Sequence, residues 1–488
     1  MDDTKRQARE ADVIVLGVGT CGEDLSLQLL DAGLEVIGIE ASLVGGECAF
    51  WACIPSKIMI RAADALQETR RVEDLAGRVK TEPDWNPVAA RVREATGSWD
   101  DSGAIERYRN RGGHLLKGRG RLTGRNSVTV GGEQYTARRG IVIATGSKPI
   151  IPPITGLDQV EYWTTHEAIE AEKLPESLIV LGGGVVGCEL GQVFARFGVS
   201  VTIVEGNARL LPTEEPEASE VVADAFSDEG IEVHAGRMAQ RVESRDGSIV
   251  VTLEGGLELG GERLLVATGR SVDLTDLGLE AAGLDSAAES LEVDERMRVT
   301  DSIWAMGDVT GKSLFTHVAL YQSSIVAADI LGKEHQPARY DAVPRGIFTD
   351  PEVGAVGMTE AEARDAGLDV VVAVKQLPLT FRGFIHGTGD GMIKLVADRE
   401  SGVLVGATAA GPQAGEMLGM LTLAIHARVP LTQLQSMIYA FPTFHGGIGE
   451  AVGAWGRGVT SVLDPEYRTR GLQGLDEVVM ASRGRTSP

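Results

Sequence analysis

The sequence predicts an α/β chain built on a duplicated Rossmann-like unit, and three observations carry that expectation. A short apolar strand, a glycine-rich turn, an amphipathic helix, a second strand and a closing acid occur in that order twice. Each copy later ends on Ala-Thr-Gly. The length of 488 residues gives room for about three domains, each with its own core.

The first copy begins with the apolar run 12–16 and turns through Gly17, Gly19 and Gly22 into an amphipathic segment that ends near Gly33. A second apolar run, 36–39, is closed by Glu40. Glycines at these positions permit a tight turn and let the backbone reach a pyrophosphate at the helix N-terminus, while the acid accepts hydrogen bonds from ribose hydroxyls. The second copy runs from 178–181 through Gly182, Gly184 and Gly187 to 201–204 and Glu205. The separation of first glycine from acid is the same in both, 17 to 40 and 182 to 205. A lone glycine turn is a weak signal; two with matching strands and acids are a strong one.

Ala144-Thr145-Gly146 closes the first copy and Ala267-Thr268-Gly269-Arg270 the second. The first is longer because a segment, roughly 41–119, follows its acid and carries Cys48 and Cys53. One site is therefore expected to hold a nucleotide beside a redox centre, and the other a plain dinucleotide.

Composition excludes several classes. A net charge of -24 and a pI near 4.8 repel nucleic-acid phosphates and anionic lipid, so neither is an expected partner. No stretch approaches the roughly 20 apolar residues that span a bilayer. The charged residues 1–11 lack the apolar region of a signal peptide, so the expected location is cytoplasmic. Four cysteines in so long a chain do not make a disulfide framework; a close pair points to redox or metal chemistry. No metal site is expected.

Residues 45–57, Gly45-Gly46-Glu47-Cys48-Ala49-Phe50-Trp51-Ala52-Cys53-Ile54-Pro55-Ser56-Lys57, resemble the active-site helix of the class I flavoprotein disulfide reductases. That family includes dihydrolipoamide dehydrogenase, glutathione reductase and mercuric reductase. The resemblance extends to both glycine turns, both Ala-Thr-Gly phrases, Met306-Gly307-Asp308-Val309, Thr316-His317-Val318-Ala319 and residues 348–354. It implies FAD, NADH or NADPH as donor, a small-molecule substrate and a homodimer. The implied organisation is an FAD-binding domain (1–155 and 273–338), an inserted NAD(P)-binding domain (156–272), a C-terminal α+β dimerisation domain (339–459) and a tail (460–488) with a loosely ordered end.

By the same resemblance Cys53 lies against the flavin and Cys48 performs thiol–disulfide interchange, on a helix whose N-terminus stabilises a thiolate. Lys57 and Glu189 pair beside the flavin edge where hydride arrives. Asp308, in a turn after the strand 303–306, holds the ribityl chain. Thr316, His317 and Ala319 open a helix toward the flavin ring, with His317 read as a flavin contact rather than a base. Gly46 belongs to the FAD cradle, and Cys21 and Cys188 to the packing of the glycine turns. Glu205 favours NADH because a carboxylate repels a 2'-phosphate; Arg209 would offset it and admit NADPH.

The pattern breaks near the C-terminus. The family's usual histidine position is Phe441 and its glutamate position Gly446, and phenylalanine transfers no proton. His445 and Glu450 form a candidate displaced pair, with a plain surface histidine as the competing reading. An acceptor that needs no such relay, a quinone or metal ion reduced directly from flavin, is the alternative function; a non-enzymatic redox sensor is a third. Mercury is disfavoured because no cysteine lies beyond Cys188. Phe50, Trp51, Tyr439, Phe441 and Phe444 either line an aromatic substrate mouth or pack a core. Glu47 would oppose thiolate formation at Cys48 by like-charge repulsion.

Overall fold

A computed structural model describes residues 9–387 and 389–455. The tail at 460–488 lies outside them.

Three sheets organise the chain. In the first, Glu10–Leu16 sits between Val36–Glu40 and Glu133–Ile143, all parallel, with His114–Lys117 and Ile303–Ala305 added in parallel outside them. These are near-continuous apolar runs because a parallel sheet is covered on both faces. Ile303–Ala305 returns to this sheet from the far side of the second nucleotide unit. The segment after Glu40 is not a detached insertion, since its end, His114–Lys117, is the sheet's edge strand.

The second sheet is parallel throughout, in the order Glu232–Ala235, Ser200–Glu205, Ser177–Leu181, Arg263–Val266. The third is a five-stranded antiparallel sheet, ordered Pro344–Ile347, Glu352–Gly357, Val403–Gly411, Met392–Asp398, Val370–Gln376. The helices Ala414–His426 and Phe444–Trp455 pack on it. The fold is therefore α/β with two parallel-sheet units and an α+β C-terminal part, as expected.

Two buried cations tie these parts together. Arg196, 1 % exposed, donates to Glu229 at 2.7 and 2.9 Å, to Asp64 at 2.7 Å and to Asp350 at 2.9 Å. Asp64 lies on the helix that begins at Cys53, and Asp350 just precedes a strand of the third sheet. Lys394, from the middle of that sheet, reaches Glu215 at 2.9 Å, Glu217 at 2.8 Å and Glu360 at 3.0 Å. Buried charges persist only when they are paired in this way.

Candidate active site

The two glycine turns are built to one plan. A Cβ on Gly17 would stand 2.3 Å from the Ala144 carbonyl oxygen, and one on Gly182 would stand 2.3 Å from that of Ala267. A Cβ on Gly22 would meet the Gly17 oxygen at 2.0 Å, and one on Gly187 the Gly182 oxygen at 1.9 Å. Only glycine fits these close backbone approaches. Gly184, in contrast, faces open space. The helices Thr20–Asp31 and Val185–Arg196 both start without a side-chain cap, which leaves amide groups free for a pyrophosphate. Gly46, at φ +68°, backs onto Gly19 with 2.8 Å between its Cβ position and the Gly19 Cα. Gly146 and Gly269 also take positive φ, 72° and 119°, and Thr145 is exposed beside Gly146. These residues fit two dinucleotides.

The closing acids have a role the sequence pattern did not specify. Glu40 accepts from the amides of Val18 and Ser42, both at 2.7 Å. Glu205 accepts from the amide of Gly183 and from Asn207, at 2.6 Å. Each carboxylate thus braces its own glycine turn, and lone pairs remain for a ribose hydroxyl. Arg209 donates to the carbonyls of Leu211 at 3.0 Å and Pro212 at 2.9 Å, so its guanidinium is already engaged within its own loop.

Cys48 and Cys53 form a disulfide, with Cα atoms 4.7 Å apart. They do not share one helix. Cys48 lies in the short helix Gly46–Phe50 and Cys53 begins the long helix Cys53–Leu75. Trp51 and Ala52 between them leave helical geometry, at φ, ψ of -136°, 1° and -129°, -98°. The break folds Cys48 back over the N-terminus on which Cys53 sits, where free amides favour a thiolate. Cys53 Sγ also lies 3.2 Å from Thr316 Oγ1 at the start of the helix Thr316–Ile330.

One turn beyond Cys53, Lys57 Nζ donates to Glu189 Oε2 at 2.7 Å, while Glu189 Oε1 accepts from the Phe348 amide at 2.9 Å. The Glu189 side chain is 4 % exposed and that of Lys57 34 %. The ammonium also lies over the Phe348 ring, 4.8 Å from its centroid. The strand before Asp308 stops at Ala305, and Asp308 opens a short 3-10 turn after Gly307. Burial raises the Asp308 carboxyl above its usual range, against the opposing bond from Ser147. A Cβ at Gly307 would touch Cys21 Sγ at 3.3 Å and Ala319 at 3.7 Å, so Cys21 and Ala319 pack this turn. Cys188 packs the other, donating to the Gly183 carbonyl at 3.3 Å. His317 stacks on Phe315 and lies 2.9 Å from the Pro344 carbonyl. Burial holds its imidazole below the ordinary range.

A polar chain runs beside the disulfide. Ser147 donates to Asp308 at 2.6 Å, and Arg270 holds Ser147 Oγ at 2.9 Å and the Ser147 carbonyl at 2.8 Å. Arg270 also reaches Glu47 at 3.5 Å, and Glu47 bonds His166 Nε2 at 2.8 Å. Burial alone would raise the Glu47 carboxyl, but His166 and Arg270 hold it below the usual range. Glu47 is therefore a compensated charge, not the bare repulsive one expected. Ser147 and Arg270 flank the Ala-Thr-Gly phrases, which was their only sequence signal. His166, 119 positions from Glu47, had none.

The C-terminal residues are placed differently from the displaced-pair reading. Glu450 pairs with Lys375 at 2.8 Å. It stands five positions after His445 on the helix Phe444–Trp455, a spacing that puts the two on different faces. His445 lines a small cavity with Arg382, Gln413 and Glu416. The five aromatics also separate: Phe50 and Phe444 are buried in the core, whereas Phe441 is 75 % exposed. Trp51 stacks on His166, with centroids 4.2 Å apart and planes at 11°. Among the described residues, no cluster of three or more His, Cys, Asp or Glu side chains is arranged to hold a metal ion. No described helix is long and apolar enough to cross a membrane.

Comparison with known families agrees with this geometry. Residues 11–323 match the pyridine nucleotide-disulphide oxidoreductase family, and residues 343–452 its dimerisation domain. The chain belongs to this family. Its members are FAD-dependent flavoprotein disulfide oxidoreductases with NAD(P)H as electron donor, and the second match supports a homodimer. A dihydrolipoyl dehydrogenase of Thermus scotoductus is 33 % identical over 467 residues, covering 93 % of this chain and 99 % of that one. A mercuric reductase of Acidithiobacillus ferrooxidans is 35 % identical over 471 residues, covering 92 % and 84 %. Among solved structures, the HOCl-induced flavoprotein disulfide reductase RclA of Escherichia coli superimposes with a TM-score of 0.80 at 26 % identity, covering 91 % of this chain and 99 % of that one.

Proposed function

We propose that this oxidoreductase uses NADH, in preference to NADPH, to reduce a small-molecule disulfide or related thiol-reactive substrate through Cys48 and Cys53. The observation that carries the reading is the disulfide itself, set on the N-terminus of the Cys53–Leu75 helix with the Lys57–Glu189 pair one turn beyond. FAD, when bound, accepts hydride from the nicotinamide and supplies two electrons to the disulfide. The chain's own residues do the rest.

Gly17, Gly19, Gly22, Gly46, Thr145, Gly146, Asp308, Thr316, His317 and Ala319, with Glu40, hold the flavin nucleotide. Gly182, Gly184, Gly187, Glu205 and Gly269 hold the nicotinamide nucleotide. Preference for NADH is supported by the Glu205 carboxylate, which repels a 2'-phosphate, and by the engagement of Arg209 with the Leu211 and Pro212 carbonyls of its own loop.

Two electrons and one proton turn the enzyme disulfide into one thiol and one thiolate. Cys53, beside two helix N-termini, keeps the thiolate. Cys48 attacks the substrate disulfide and forms a mixed disulfide, and the first substrate thiol leaves with a proton. Cys53 then attacks Cys48, restores the enzyme disulfide and expels the second substrate sulfur as a thiolate, which takes its proton from solvent. The work is that of a cytoplasmic homodimer.

A second reading sends electrons directly from flavin to a quinone or metal ion. It is favoured by Phe441 in the usual histidine position and by the loss of Glu450 to Lys375. Cys48→Ser separates the two. Retained FAD and retained flavin reduction with loss of disulfide turnover is the expected result. Undiminished turnover on every acceptor would transfer the assignment to the direct route.

A further inference from the structure

The segment carrying Cys48 is gripped at both ends by a residue from a distant part of the chain. His166 lies in the first turn of the helix Thr165–Glu170, whose Thr164 cap is a full capping box and fixes that turn. Its Nε2 lies 2.8 Å from Glu47, the residue before Cys48. Its ring lies flat on Trp51, the residue that breaks the helix after Cys48. The far edge of Trp51 is fixed in turn, since Nε1 donates to Glu170 at 2.7 Å. One imidazole therefore touches Glu47, inside the short helix Gly46–Phe50 and just before Cys48, and Trp51, just after that helix.

The charges around it are few. Glu47 faces it directly and Arg270 stands behind Glu47 at 3.5 Å. Glu167 and Glu170 come from its own helix, and Asp308 faces Glu47 from the flavin side. The Glu47 bond, the larger influence, outweighs burial and raises the imidazole above its ordinary range.

We propose that His166 is a positioning residue of the cysteine site, which clamps the Cys48 turn between Glu47 and Trp51 and, while protonated, neutralises Glu47 so that Cys48 ionises without a bare carboxylate beside it. This rests on the reading of Cys48 as the interchange thiol. It supplies from the same chain an electrostatic function that Phe441 cannot perform. As pH rises and His166 loses its proton, Glu47 keeps only Arg270 as a countercharge. A like charge next to a thiol raises its pKa, so loss of His166 makes Cys48 a poorer nucleophile near neutral pH.

The test uses the full-length, FAD-loaded enzyme, reduced with NADH under anaerobic conditions and alkylated with iodoacetamide across a pH series. Mass spectrometry identifies the modified cysteine. His166→Phe keeps a ring on Trp51 and removes the bond to Glu47; His166→Gln keeps a bond without a charge and serves if the first variant is unstable. Both are expected to shift the midpoint of Cys48 alkylation upward by about half a pH unit or more. Adding Glu47→Gln is expected to abolish the shift, a coupling that a purely structural role would not produce. An unchanged midpoint at Cys48 in both His166 variants overturns the proposal. Preferential alkylation of Cys53 in the wild type instead overturns the assignment of the interchange thiol on which it rests.

Discussion

Replacing Glu189 probes the hydride end of the site and its energetics together. Glu189→Ala strips the acceptor from two donors, the Phe348 amide at 2.9 Å and Lys57 Nζ at 2.7 Å. The part-buried amide forfeits about 1–3 kcal/mol when left unpaired. The Lys57 side chain is 34 % exposed and its ammonium can turn to water, so its share falls to the roughly 0–1 kcal/mol of a screened pair. The expected destabilisation is therefore about 1–4 kcal/mol. Glu189→Gln preserves an acceptor for Phe348 and costs roughly 1 kcal/mol. Thermal unfolding of the FAD-loaded protein reads these differences. Anaerobic stopped-flow at the flavin absorbance reads hydride arrival, and both variants are expected to slow it by about tenfold or more, ~1.4 kcal/mol in barrier. Wild-type flavin reduction in Glu189→Gln with FAD retained would refute the placing of this pair at hydride entry. An unshifted Tm in Glu189→Ala would refute the energetic account.

Arg196→Met leaves three carboxylates without their shared cation, and chemical denaturation should show a loss of about 3–5 kcal/mol, as for other broken buried pairs. Gly187→Ala places a methyl 1.9 Å from the Gly182 oxygen and should abolish NADH binding in calorimetry while FAD content is retained. Gly184→Ala, at a site open in the protein itself, should fold normally and weaken NADH alone. Burial, with Asp350 and Glu352 adding to it against Arg196, raises the Asp64 carboxyl from 3.8 to about 6. An acid with a raised folded pKa stabilises the protein below its unfolded pKa and loses that contribution as pH rises through the folded one. Urea midpoints should therefore carry a downward contribution between about pH 4 and 6 that Asp64→Asn removes.

The glycine turns, their acids and the cysteine pair were legible because local backbone geometry dictates their residue types. The Cβ clearances at Gly17 and Gly182 show why no other residue would serve. Lys57 and Glu189 were legible only through family resemblance, since nothing in either segment points to a contact 132 positions away. The helix break at Trp51 and Ala52 was missed because a C-x4-C spacing suits one continuous helix equally well. The aromatic residues near the thiols could not be sorted by pattern: burial of Phe50 and Phe444 and exposure of Phe441 depend on which element covers each. Glu47 was read as a lone charge because its partners, His166 and Arg270, come from elsewhere in the chain.

The pairings of Arg196 and Lys394 have a mechanical meaning. Modules of one chain joined by modest polar interfaces rotate against each other by default. Here any such rotation would pull Arg196 of the second nucleotide unit from Asp64 and Asp350, and Lys394 of the third sheet from Glu215 and Glu217. Among the described residues these pairings act as rivets between the parts. The expected consequence is that the two nucleotide cradles keep a constant spacing through turnover, so that ligand traffic depends on side chains at the rims and not on the swing of whole modules.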